Sequence, residues 1–167
     1  MKVSSGLTVA GVVIGSVLAI GAGGMAAEAA DTPPSLVEDF SYPGRDQILA
    51  EHGLKLFTGD GHILFVDSRD YDDGACPVGQ IQVERSLDVE PYGTFYCFRT
   101  VGTTGVLTLE VPTTFGVRGG STEIQATAQL PEGEKTFEIP PNTPVAIAPG
   151  DENELPKAIL VELRMGN

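Results

Sequence analysis

The sequence predicts an all-β protein: an antiparallel, jelly-roll-like β-sandwich preceded by one short N-terminal helix, with a closed barrel as the alternative. Three observations predict it. From His62 onward apolar and polar residues alternate with period two, the mark of strands that have one covered and one wet face. The runs are separated by clusters of Gly, Pro, Asn and Asp, at intervals that suit short strands joined by turns. Removing a leader of 29 residues from the 167-residue chain leaves 138, enough for a single core.

The leader comes first. Lys2 supplies a positive start, and Leu7–Ile20 (LTVAGVVIGSVLAI) is a run of small and apolar residues. As a helix it spans about 21 Å, short of a hydrocarbon core of about 30 Å. Ala27-Glu28-Ala29 fits the small-x-small cleavage pattern, so residues 1–29 read as a signal peptide with Ala30 the first mature residue. An uncleaved membrane anchor is the alternative. With no Cys near the cleavage site, a lipid-modified lipoprotein is excluded. Residues 30–41, which include Asp31-Thr-Pro-Pro-Ser35, read as an extended lead, and residues 42–167 as the β-sandwich domain.

Within the domain, Asp46–His52 suits a short helix with Ile48 and Leu49 facing inward and Gly53 just past its end. Gly59-Asp60-Gly61 is a turn, and HILFVD (His62–Asp67) reads as a central strand covered on both faces. In Gln80–Leu87, Ile81, Val83 and Leu87 oppose Gln82, Glu84 and Ser86. Thr94–Val101 is an aromatic strand whose Phe95 and Phe98 point to opposite faces. Further alternation marks Leu107–Val111, Ile124–Leu130, Phe137–Ile139 and Ile159–Met165, with a short run at Val145–Ala148.

The formal net charge is −13, from 10 Lys+Arg against 23 Asp+Glu, and loss of Lys2 with Glu28 leaves it unchanged. Nucleic acid and anionic lipid surfaces both require a cationic footprint, so neither is an expected partner. In an exported chain Cys76 and Cys97, 21 positions apart, read as one disulfide, with two buried free thiols as the alternative. No zinc shell is expected from two Cys without suitably spaced His.

The stretches YPGRDQILAEHGLKLFTGDGHILFVD and FYCFRTVGTTGVLTLEVPTTFGVRGG resemble a group of small exported proteins from actinobacteria, over roughly Tyr42 to Val161. That resemblance implies secretion and a single β-rich domain, and it brings no activity with it. Tyr92–Met165 is more distantly similar to the non-catalytic β-sandwich modules on the C-terminal side of secreted peptidases. Here no enzyme domain is attached, and a cysteine stands in the aromatic strand.

Candidate chemistry is sparse. His52 and His62 are the available bases for a nucleophilic triad, and the mature chain holds no G-x-S-x-G elbow. A carboxylate pair of the glycosidase type is compatible with the composition, although a Trp-free chain builds an aromatic cleft with difficulty. Asp67–Gly74 is the densest acidic segment, the Asp67–Gln80 loop that contains it is the expected recognition surface, and Asp70, Tyr71, Asp72 and Asp73 are its candidate ligand-binding residues. Asp70, Asp72 and Asp73 are also weak calcium candidates, because carboxylate oxygens suit that ion while the spacing departs from an EF-hand loop. Tyr71, Tyr92 and Tyr96 are candidate aromatic handles for glycans.

These observations support a secreted, non-catalytic binding module, associated with the cell surface or matrix, without a cofactor, for an extracellular glycan or protein. No membrane association is expected after leader cleavage. The alternatives are a hydrolase using a carboxylate pair and a secreted protease inhibitor that presents a disulfide-pinned loop.

Overall fold

The computed structural model describes residues 40–150 and 154–166. The expected leader, its cleavage site and residues 30–39 of the extended lead lie outside the described residues.

One helix and ten strands are present among the described residues: α1 (Arg45–His52), β1 (Lys55–Gly59), β2 (Ile63–Asp70), β3 (Ile81–Ser86), β4 (Gly93–Thr100), β5 (Gly105–Pro112), β6 (Thr114–Arg118), β7 (Ile124–Leu130), β8 (Gly133–Ile139), β9 (Pro144–Ala146) and β10 (Ile159–Met165). They form two five-stranded sheets, ordered β1-β5-β10-β7-β8 and β2-β4-β3-β6-β9. Every pairing is antiparallel and neither sheet closes on itself, so the fold is a β-sandwich and not the alternative barrel.

The period-two pattern produces the core directly. β5 and β7 alternate buried and partly exposed residues along nearly their whole length, and Leu107, Leu109, Val111, Ile124, Ala126 and Ala128 point inward. Ile81, Val83, Tyr96, Phe98 and Val117 meet them from the other sheet. Complete burial of one such Leu or Ile contributes roughly 1.5–3 kcal/mol, so this interior is the main source of stability.

α1 ends as the sequence suggests and begins one residue earlier than expected, at Arg45. Gly53 takes the left-handed conformation (φ 64°) and its N–H donates to the Leu49 carbonyl at 3.0 Å, closing the last turn. Leu54 follows, fully buried. The expectation that Leu49 faces inward is corrected, since it is 47% exposed. Ile48 and His52 lie one helical turn apart and occupy the side that meets the strands, while Leu49 is turned about 100° away from Ile48. The His52 ring packs edge-on against Phe65, 4.9 Å between centroids, and its Nδ1 lies 2.8 Å from the Ser68 hydroxyl.

HILFVD is also corrected: β2 is an edge strand and not a doubly covered one. Its pairing with β4 shifts register between Phe65 and Asp67, and Val66 is 45% exposed. A bulge explains the continuous apolar run, because the extra residue faces out without needing a second covering layer. Part of the free edge is sealed by Tyr42, whose hydroxyl oxygen accepts the Phe65 N–H at 2.7 Å. The Tyr42 N–H donates to Phe57 on β1, so this one residue joins an edge of each sheet.

Candidate functional site

On β4, Tyr96 and Phe98 point into the core, so Phe95, Cys97 and Arg99 belong to the opposite, solvent-side face. Cys97 is nevertheless 1% exposed. The segment from Tyr71 to Gln80 lies over it, held by the Cys76–Cys97 disulfide with Cα atoms 5.6 Å apart. The expected pairing is therefore present, and it staples a loop flat against its own sheet.

The residues beneath explain why the loop lies there. Tyr71 opens a single 3-10 turn (Tyr71–Asp73), and its ring packs on Phe95 at 4.9 Å and 30°. Gly93 sits under the same ring, where a Cβ would overlap Tyr71. The Tyr71 hydroxyl donates to Glu84 Oε1 at 2.7 Å. Burial, then the Glu84 hydrogen bond and charge, push the phenol pKa up to about 12. Further along, the Cys76 N–H donates to Gln82 Oε1 (2.9 Å), and Arg118 Nη2 donates to the carbonyls of Cys76 (2.7 Å) and Pro77 (3.2 Å). At the far end the Gly79 N–H donates to Asn142 Oδ1 at 2.9 Å. Gln82, on the solvent side of β3, is 8% exposed under this cover.

Tyr71 is thus no free aromatic handle; both its ring and its hydroxyl are engaged. The expected loop is corrected at its start: Asp67–Asp70 belong to β2, where they pair with β4, and Asp72 and Asp73 stand exposed in the 3-10 turn, outside the covered face. Among the described residues no three His, Cys, Asp or Glu side chains converge as a metal-ligating set. Tyr92 is 61% exposed, whereas Tyr96 is buried with its hydroxyl donating to the His52 carbonyl at 3.3 Å. His62 closes the β1–β2 turn. The Asp60 carboxylate there accepts the N–H groups of His62 (3.1 Å) and Val106 (3.0 Å). Burial raises the Asp60 pKa, but these bonds and His62 outweigh it and leave the carboxyl below its usual value.

Beside the stapled loop is a groove of about 230 Å³, lined by Gln82 and Glu84 of β3, Phe115 and Arg118 of β6, and Pro144 and Ala146 of β9. The register builds it: Glu84 lies opposite Gly116 and Gln82 opposite Arg118, while Gly116 and Arg118 face Ala146 and Pro144. Because Gly116 has no side chain, the floor between Glu84 and Ala146 is backbone. The loop fixes both charged residues in place, Glu84 through Tyr71 and Arg118 through the Cys76 and Pro77 carbonyls. Sequence reasoning missed Gln82, Glu84 and Arg118. The available signal was parity, which puts Gln82 and Glu84 on the wet side of β3.

No protein-family model matches this chain, and no curated protein is significantly similar to it.

Proposed function

We propose that the protein is a secreted, non-catalytic binding module acting at the cell surface or in the extracellular matrix, with its ligand held in the groove between β3, β6 and β9. One observation carries this reading: Glu84 and Arg118, on adjacent strands, are each pinned by the disulfide-stapled loop before any ligand arrives. Polar groups ordered in advance lose little conformational entropy on binding, so affinity rises without added contact area. Export is supported by the leader-like N-terminus, by the resemblance to small exported actinobacterial proteins and by the disulfide, a bond that persists in oxidising compartments. No described helix is long and apolar enough to cross a membrane. The inhibitor alternative is disfavoured because the loop turns Tyr71 and Cys76 toward its own sheet instead of projecting them toward a protease.

The test is capture of cell-wall polysaccharide and secreted protein by residues 30–167, compared with Ala146→Tyr. Ala146 is exposed, lines the groove and is separated from Glu84 by Gly116, so the substitution fills the site and spares the fold. Capture abolished at an unchanged melting temperature supports the reading. Capture undiminished in the variant removes it.

A further inference from the structure

We propose that the groove is a subsite for one ring of a neutral polysaccharide, an inference that rests on the binding-module reading and names its ligand class. The polar lining is mixed in sign and planar in shape. Gln82 Oε1 is occupied by the Cys76 N–H, which leaves its amide N–H groups as donors. Glu84 Oε1 is occupied by Tyr71, which leaves Oε2 as an acceptor. Arg118 Nη2 is occupied by two loop carbonyls, which leaves Nη1 as a donor. Sugar hydroxyls both donate and accept, and neighbouring hydroxyls on one ring match planar amide, carboxylate and guanidinium edges. Phe115 and Pro144 add apolar surface for the C–H face of the ring.

Charge and size narrow the choice further. Glu84 and Arg118 cancel, so the groove itself favours neither an anion nor a cation, while the net charge of −13 repels polyanions. A volume of about 230 Å³ falls below the roughly 300–1,000 Å³ of sites for drug-sized ligands, which suits one ring of a longer chain. A peptide adding as a strand is disfavoured, because the bordering edge strand β9 has three residues and starts with Pro144, which has no N–H.

The experiment is affinity electrophoresis of residues 30–167 through gels containing a β-glucan, a mannan or a galactan. Polygalacturonate and polylysine serve as charged comparison arms. Expected is retardation by at least one neutral polymer, unchanged between about 0.05 and 0.5 M salt because no net charge is neutralised. Glu84→Gln keeps an acceptor for Tyr71 and should weaken retardation at least about tenfold, through loss of a charge-assisted bond to the ligand. Ala146→Tyr should abolish it. If no neutral polymer retards the protein while Ala146→Tyr still blocks capture of a secreted protein, the saccharide assignment falls and the binding module stands. If Ala146→Tyr changes neither retardation nor capture, both fall.

Discussion

Replacing Cys76 and Cys97 together by alanine tests the arrangement most directly. The bond closes a loop over a sequence separation of 21, and chain entropy alone makes its loss worth about 3 kcal/mol. If the freed loop then lifts away, the Cys76–Gln82 bond and the Arg118 bonds to Cys76 and Pro77 go with it. At about 1 kcal/mol for the neutral bond and about 1.5 kcal/mol for each of the two from the guanidinium, the total loss approaches about 7 kcal/mol. The disulfide's own share, about 3 kcal/mol, corresponds to a melting temperature about 10 °C below the parent. Because the staple lies on the solvent side of β4 and not between the sheets, the damage should stay local. Calorimetry measures the stability loss, and hydrogen exchange measures its location: protection should fall in residues 71–84 and persist in β5, β7 and β10. A double variant within about 1 kcal/mol of the parent would refute the reasoning, as would exchange rising equally across both sheets.

Three further outcomes are expected. Gly93→Ala forces a Cβ into the Tyr71 ring and should cost roughly 1–3 kcal/mol, most of it recovered in a Tyr71→Ala background; additive penalties in urea melts would deny the contact. Asp60→Asn should destabilise the protein near neutral pH but not in acid. The lowered carboxyl pKa gives stability that is present above the ordinary value of 3.8 and lost as pH falls through the lower folded value, so a gap that persists in acid melts contradicts the turn brace. Tyr71→Phe should remove a phenolate absorbance step near pH 12. A raised pKa gives stability that is complete below 10.0 and lost as pH climbs through about 12, so loss of a step near pH 10 instead would place the Tyr71 hydroxyl away from Glu84.

Much of the fold was legible because its signals are local. Ile124–Leu130 reads as a half-covered strand from its alternation alone, and Gly53 followed by Leu54 reads as a helix end. The opposed faces of Phe95 and Phe98 follow from strand geometry whatever the neighbours are. Where reading failed, a neighbour decided. HILFVD resembles a doubly covered strand because a bulge residue and a covered edge look alike in one dimension. Leu49 resembles a core residue because two adjacent helical positions cannot be ranked until the helix has something to pack on.

The candidate site divides in the same way. The sequence by itself determined that an acidic loop with a tyrosine leads to a cysteine, and that this cysteine has one possible partner in the aromatic strand. Only the tertiary structure decided that the loop lies down on the sheet, that Tyr71 serves Glu84 instead of solvent, and that Arg118 holds the loop backbone. The groove joins residues near positions 83, 117 and 145, brought together by the β3–β6 and β6–β9 registers. Alternation along a strand states which face a residue takes. It carries no information about which strand lies alongside, because pairing is settled by long-range packing of the whole sheet.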